Sequence, residues 1–228
     1  TVSQGLEFTK YSPYSGDYWV LTGRGTNTDK HLVLPETTYD GHPYEFPING
    51  ISGDELLESV TAHGIAQVDF RNCPNLKKVN LTAVGSITIW SCHNLEDVII
   101  GGTVSYLNIS SAYNLTEVNF KENTTVKEIT ISNAPYLTSL DLSKLEVKTL
   151  NRGAFINNAR LSNLILSPTL ETINHSAFKN CMSLTKIVIP ESVTSIVLGS
   201  SLKPEEINAF TGCYKLLEIE NHSEIEIT

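Results

Sequence analysis

One short pattern, repeated eight times, governs what this 228-residue chain can fold into. Each unit is an apolar residue, usually Asn or Ser, a small residue, and then Leu-x-x-Val/Ile-x-apolar. It runs as Phe70…Cys73…Leu76…Val79…Leu81, Ile89…Cys92…Leu95…Val98…Ile100 and Ile109…Ala112…Leu115…Val118…Phe120. It continues as Ile131…Ala134…Leu137…Leu140…Leu142, Phe155…Asn158…Leu161…Leu164…Leu166, Phe178…Cys181…Leu184…Ile187…Ile189 and Phe210…Cys213…Leu216…Ile219. A degenerate copy, Ile51…Asp54…Leu57…Val60, stands in front. The Leu positions 57, 76, 95, 115, 137, 161, 184 and 216 advance by 19, 19, 20, 22, 24, 23 and 32 residues. A unit this short has too little apolar area to fold alone, so neighbouring units must stack into one continuous core.

A period of about 20–29 residues with Leu-x-x-Leu-x-Leu spacing marks a leucine-rich repeat. Within each unit, Val79-x-Leu81 or Ile187-x-Ile189 alternates apolar and polar, the pattern of a half-buried strand. Stacked coils pair such strands in parallel about 4.8 Å apart, so eight coils predict a rod roughly 35–40 Å long. A second apolar triple lies between units, as in Ile65-x-x-Val68-x-Phe70, Val84-x-x-Ile87-x-Ile89, Val104-x-x-Leu107-x-Ile109 and Val126-x-x-Ile129-x-Ile131. It predicts a second strand on the opposite face. From Val147 onward this segment becomes Arg152-Gly-Ala-Phe155 and His175-Ser-Ala-Phe178, for which a helical or 3₁₀ turn is expected. The last coil holds about nine extra residues, Leu198–Glu206, read as a protruding loop from Gly199, Ser200, Ser201 and Pro204. The expected fold class is a β-rich, right-handed leucine-rich-repeat solenoid over residues 51–228, about eight coils, behind a small β capping module at 1–50.

Ser-Ala-Phe178-Lys-Asn-Cys181-Met-Ser-Leu184-Thr-Lys-Ile187-Val-Ile189-Pro190-Glu-Ser-Val193-Thr-Ser-Ile196 resembles the BspA-like leucine-rich repeat, Ala-Phe-x-x-Cys-x-x-Leu-x-x-Ile-x-Ile-Pro-x-x-Val-x-x-Ile. The likeness is tight over 153–196 and looser over 51–142, where the Ala-Phe pair is missing. The segments Gly5-Leu-Glu-Phe8, Tyr18-Trp-Val20, Thr22-Gly-Arg-Gly25, Leu32-Val-Leu-Pro35 and Tyr39-Asp-Gly-His-Pro43 are similar to stretches preceding such repeats in bacterial surface proteins. The resemblance implies a secreted or surface-attached bacterial protein used for adhesion or protein binding. It supplies no catalytic residues and fixes no ligand. Read from the residues alone, Leu6/Phe8, Tyr18/Val20 and Leu32/Leu34 alternate, and Ser15-Gly16-Asp17 supplies a hairpin turn. An open solenoid end exposes core and strand edges, so a cap is required there. The acidic stretch Glu218–Glu226 either discourages stacking at the other end or marks where the segment was cut.

Charge is unevenly spread along the chain. The net −9 divides into three bases and six acids in residues 1–50, twelve and thirteen in 51–203, and one and six in 204–228. An acidic balance argues against nucleic acid, whose binders carry a basic face. No apolar run approaches the ~18 residues of a membrane span. Thr1 in place of Met, with no leader-like stretch, predicts a segment of a longer protein whose signal or anchor lies elsewhere. A monomer is expected.

Four cysteines, Cys73, Cys92, Cys181 and Cys213, share one column with Asp54, Ala112, Ala134 and Asn158. A column that accepts Ala is a packing column. Parallel Cβ vectors between stacked coils also suit a disulfide poorly. No Cys-x-x-Cys exists, and His31, His42, His63, His93, His175 and His222 show no ligand spacing, so neither metal nor cofactor is expected. Asn72, Asn133, Asn157 and Asn180 form a neighbouring column, read as a structural ladder that satisfies backbone groups at the turn. Six Asn-x-Ser/Thr sequons, at Asn80, Asn108, Asn114, Asn123, Asn174 and Asn221, are near what chance gives. Phosphate-loop, Gly-x-Ser-x-Gly and His-Glu-x-x-His patterns are missing, so no enzyme is expected.

The informative surface is the outward side of the first strands. One column runs Lys78, Asp97, Glu117, Ser139, Asn163, Lys186, Glu218, and the next runs Asn80, Ile99, Asn119, Asp141, Ile165, Val188, Glu220. Asp97, Glu117 and Asp141 make an acidic middle; Ile99, Ile165 and Val188 offer apolar side chains. Solenoids bind through such faces, so an extracellular protein ligand is the leading expectation. Trp90 should also face outward, as an anchor or as cover for a neighbouring coil. The alternatives are a spacer presenting another domain and a glycan-binding module. The latter needs exposed aromatic platforms, and the two columns contain none.

Overall fold

The computed structural model describes residues 2–11, 18–34, 44–45, 51–197 and 208–225. The expected turn at Ser15-Gly16-Asp17 and the insertion at 198–206 lie outside these residues. Near the N-terminus, β1 (Glu7–Tyr11) and β2 (Tyr18–Gly23) are antiparallel, with Phe8 beside Leu21. Next, β3 (His31–Val33) turns away from them, while β4 (Tyr44–Glu45) lies parallel to β2. β5 (Ser59–Arg71) accepts β3 as its parallel neighbour, with Leu32 beside Val60. The chain thus enters the solenoid through β3, and Leu21, Leu32 and Leu34 join the same core as the repeats.

An ion pair ties this region to the first coil. The Arg24 guanidinium donates through Nε to the Asp54 carboxylate and through Nη1 to Asn27 Oδ1 at 3.2 Å. Asp54 holds the place that Cys takes in later coils. Its Oδ1 accepts the N–H groups of Leu56 at 2.8 Å and Leu57 at 3.0 Å. A carboxylate there both closes the turn and receives the guanidinium, which a thiol cannot do.

The next strands are long: β6 (Lys78–Trp90) and β7 (Asp97–Ser110) follow β5 in parallel register. Here the structure corrects an expectation. The second apolar triple of these coils is the continuation of the first strand around a bend. Glycine makes that bend possible: Gly102 sits at φ 89, and a Cβ there would come within 2.3 Å of Ala83 O. From the fourth coil on, the two segments separate, and residues 126–131 form the distinct second strand that was expected. β8 (Glu117–Phe120) pairs with the first half of β7, and β9 (Thr125–Ser132) pairs with the second half.

Beyond them the ladders shorten. β10 (Ser139–Asp141), β12 (Asn163–Ile165), β14 (Lys186–Ile189) and β16 (Glu218–Asn221) continue the first face; β11 (Thr149–Leu150), β13 (Thr172–Ile173) and β15 (Ser195–Ile196) continue the second. One nine-stranded sheet runs β15-β13-β11-β9-β7-β6-β5-β3 with β8 beside β7; its β9-to-β15 end forms the second face, while β3 joins the first half of β5. The first face breaks into β10-β12 and β14-β16 pairs.

The helical or 3₁₀ turns expected at Arg152–Phe155 and His175–Phe178 are instead runs of β-turns, and the described residues contain no helix. Ala154 donates to Asn151 O and Ile156 to Gly153 O, both at 3.0 Å. The N–H groups between them point outward: Phe155 donates to Ala177 O at 2.7 Å and Asn157 to Lys179 O at 2.8 Å. A 3₁₀ helix spends every N–H on its own residue i−3. Here alternate donors bond the next coil, so the segment cannot wind.

Core columns run the length of the rod. Leu57, Leu76, Leu95, Leu115, Leu137, Leu161 and Leu184 are fully buried, each contributing about 1.5–3 kcal/mol of transfer free energy. Phe155, Phe178 and Phe210 stack as a second ladder, with ring centroids 6.0 and 5.1 Å apart. Beside it, Asn72, Ser91, Ser111, Asn133, Asn157 and Asn180 all adopt left-handed φ of 53–64°, where Asn is among the few tolerated residues. Asn157 Nδ2 donates to Asn133 Oδ1, and Asn180 Nδ2 to Asn157 Oδ1, both at 2.8 Å. The expected Asn ladder is present, but these side chains bond one another instead of backbone groups at the turn, and the column also meets the left-handed backbone conformation.

Candidate binding face

Strand register puts the first-face columns where the period-two pattern predicts them. Lys78, Asp97 and Glu117 lie abreast, as do Asn80, Ile99 and Asn119. Ser139 pairs with Asn163 and Asp141 with Ile165, while Lys186 pairs with Glu218 and Val188 with Glu220. The inward partners Val79, Val98, Leu140 and Ile187 are buried, so the outward set is the solvent side of one surface. Ile165 is 44% exposed and Val188 37%. Ile99, expected to be as open, is half-buried.

Charges on this face differ in how far they are already satisfied. Lys186 Nζ bonds Glu218 at 2.8 Å and Glu220 at 2.6 Å, and these two carboxylates raise its pKa. At that end of the face one lysine is shared by two carboxylates, leaving a net charge of −1. Asp141 Oδ1 accepts the Ser143 N–H at 2.8 Å, and its contacts with Ser143 hold the carboxyl below its ordinary range, with Lys144 adding to the effect. Asp97 Oδ1 and Asn80 Oδ1 are shielded from water yet accept no hydrogen bond.

Where the first face breaks between β8 and β10, a cleft of about 640 Å³ opens. Asn119, Phe120 and the turn Lys121–Thr124 form one side; Ser139, Asp141 and Lys144 lie opposite, with Asn163 and Ile165 beyond. Lys121 bends back across Gly101 and donates from Nζ to Thr82 Oγ1 at 3.0 Å. A Cβ at Gly101 would stand 2.7 Å from Lys121 Cδ, so the bare glycine lets the lysine lie down. Desolvation of that ammonium lowers its pKa. The cleft thus brings Asn119, Ser139, Asp141, Asn163 and Ile165 together from the predicted columns, while Lys78, Lys186 and Val188 lie elsewhere along the face.

Trp90 is not on this face. It ends β6, abreast of Arg71 and Ser110, and is 45% exposed at the turn edge of the rod. That edge carries features the sequence reading passed over. His93 and Tyr113 stack with centroids 4.7 Å apart, and the Arg160 guanidinium lies 4.4 Å from the Tyr136 ring centre. The signal was present as the two positions after each Cys or Ala of the repeat, which stacking places in line.

The cysteine column is a packing column. All four thiols are free and buried, and Cys181 and Cys213 Sγ donate to Phe155 O at 3.2 Å and Phe178 O at 3.1 Å. Burial pushes the Cys181 thiol up to about 12 and Cys213 up to about 11. Cys92 is raised as well, first by its Cys73 neighbour and then by burial. Among the described residues no group of His, Cys, Asp and Glu side chains is placed to hold a metal ion, and no helix is long and apolar enough to cross a membrane.

Comparison with known proteins gives a family match. Residues 55–145 and 90–217 match the BspA-type leucine-rich repeat region, in six copies. No curated protein matches the chain. Among solved structures, it is similar to a leucine-rich cell surface protein from Faecalibacterium prausnitzii, at 16% identity over 93% of this chain and 94% of that one, TM-score 0.36. A leucine-rich repeat protein from Eubacterium ventriosum matches at 13% identity over 100% and 95%, TM-score 0.41. A leucine-rich repeat protein from T. pallidum matches at 16% identity over 98% and 83%, TM-score 0.31. With the repeat matched over most of its length, the chain belongs to the BspA-type leucine-rich-repeat family.

Proposed function

We propose that this chain is a non-enzymatic, protein-binding module of a bacterial surface or secreted protein, and that it grips its ligand through the first face. The observation that carries this reading is the cleft between β8 and β10, which opens among the outward columns. It combines an acidic group already held ionised, Asp141, with an exposed aliphatic side chain, Ile165. Desolvated apolar contact flanked by ionic groups is the usual composition of a protein-recognition surface. The family supports the extracellular location. Residues 1–50 serve as the N-terminal cap that shields the first coil, with Arg24–Asp54 as the fastening.

The test is capture of partners from bacterial and host surface extracts by the immobilised chain, followed by mass spectrometry. A variant carrying Asp97→Lys, Glu117→Lys and Asp141→Lys reverses the charge of the face without touching the core. Loss of the captured proteins is expected. Capture unchanged by the triple variant means that another surface binds. No specific capture by the wild-type chain favours the second reading, a spacer, to which the nearly balanced charge of residues 51–203 also belongs.

A further inference from the structure

The turn edge of the rod differs in chemistry from the rest of the molecule. Its residues are 71–75, 90–94, 110–114, 132–136, 156–160, 179–183 and 211–215, the segments around the Cys/Ala column. Beyond the first coil, whose turn carries Asp54 and Glu55, none is Asp or Glu, although the chain holds 25 acids and a net charge of −9. Arg71 is the one base of this edge already matched, through two 2.8 Å bonds to Asp69. Arg160, Lys179 and Lys215 make no described ion pair. Rings accompany these bases. Trp90 is 45% exposed, and Tyr113 and Tyr136 are each 46% exposed. His93 is stacked on Tyr113, and Arg160 lies over Tyr136.

These contacts hold the side chains in place before any ligand arrives, which lowers the ordering cost of binding. The Arg160 guanidinium spends its face on the Tyr136 ring, leaving the N–H groups at its edge unspent. Alongside, Asn114 Nδ2 donates to Asn94 Oδ1 at 3.0 Å, a row of amides that sets a polar margin to the rings. The spacing is regular because each coil contributes one step of about 4.8 Å, and a sugar ring is about as long as one coil is thick.

We infer that the turn edge from Trp90 to Lys179 binds an extended anionic polysaccharide, with sugar rings against Trp90, His93, Tyr113 and Tyr136 and carboxylate or sulfate groups on Arg160 and Lys179. Bases without acids select an anionic polymer. Aromatic rings and amides in line favour a chain of rings and hydroxyls over an acidic polypeptide. This surface is separate from the first-face cleft, so it stands or falls independently of the protein-binding reading.

The experiment is calorimetric titration of the whole chain with heparin, with polygalacturonate, with neutral dextran and with poly-L-glutamate. Heparin and polygalacturonate are expected to bind, with affinity falling as salt rises; dextran is not. The paired substitutions Tyr113→Ala and Arg160→Ser, both at exposed side chains, are expected to weaken binding at least about tenfold with an unchanged unfolding transition. Lys179→Glu alone weakens it and makes the loss with salt shallower, because one ionic contact fewer is formed. Glu117→Lys, on the first face, leaves it unchanged. Absence of heat with either anionic polysaccharide at millimolar sugar overturns the inference, as does binding indifferent to the paired substitutions. Poly-L-glutamate binding as tightly as heparin, unaffected by Tyr113→Ala, overturns it in favour of an acidic polypeptide.

Discussion

Replacing Phe178 by Ala should cut the rod near its C-terminal end. Phe178 is fully buried, with Phe155 at 6.0 Å on one side and Phe210 at 5.1 Å on the other. Truncating a buried Phe costs about 3–5 kcal/mol through lost transfer energy and the cavity left behind. Two ring contacts, each worth roughly 0.5–1.5 kcal/mol beyond area, place this site at the upper end of that range, about 5 kcal/mol. Phe155→Ala loses only one such contact and should cost about 1 kcal/mol less. In a solenoid each coil is stabilised by its neighbours, so the damage stays local. Hydrogen exchange should show amides of residues 208–225 losing protection first, while β5, β6 and β7 keep theirs. Denaturant unfolding should change from one transition to two, the earlier one carrying the C-terminal coils. Phe178→Leu, which refills most of the volume without a ring, should recover more than half of the loss. A uniform fall in protection along the chain, or a total cost below about 2 kcal/mol, would refute the view that this ladder couples neighbouring coils.

Two further outcomes follow from the same columns. Asn157→Gly should be milder than Asn157→Ala, because both lose the hydrogen bonds to Asn133 and Asn180 but only Ala must also hold φ 64°, at about 1 kcal/mol more; denaturant midpoints for the pair settle the order. The buried thiols should resist a water-soluble disulfide reagent in the native state at pH 8 and react when the chain is unfolded. Their linkage has a definite sign: Cys181 and Cys213 titrate higher in the folded chain than the ordinary value of about 8.5, at about 12 and about 11. Each therefore favours the folded state fully below about pH 8.5, and that contribution is lost as pH rises from there through the folded values. Cys181→Ala should make the alkaline limb of a stability profile shallower, and an unchanged limb contradicts the assignment.

The two candidate surfaces arise from different parts of the repeat. Outward strand positions tolerate almost any residue, because only the alternate, inward ones enter the core; Asp141 and Ile165 can therefore vary without disturbing Leu140 or Leu164. Turn positions are more restricted. Asn157 must accept a left-handed backbone, and the small residue after it must fit beneath the next coil. The two positions after that, His93-Asn94 or Tyr113-Asn114, are again free. The two proposed surfaces draw largely on those two sets of positions, which stacking repeats from coil to coil.

Much of this was legible from residue order alone. The Leu-x-x-Val-x-Leu columns named the fold and the buried set, because side chains on a strand alternate strictly and equal-length coils keep their register. The Cys/Ala column read as packing, since a site that accepts Ala needs no thiol chemistry, and the four free, buried thiols bear that out. What the tertiary structure decided concerns backbone hydrogen bonds and neighbours two coils away. Whether Ile65–Phe70 starts a new strand or continues β5 depends on Gly102 and its equivalents letting a strand bend against the coil beneath. Whether Arg152–Phe155 winds into a helix depends on where alternate N–H groups donate, and the next coil accepts them. The cleft exists because the β7–β8 ladder stops short of β10, a matter of coil offset that no single unit encodes. The aromatic edge exists because Tyr113 finds His93 twenty residues away only after both coils have stacked.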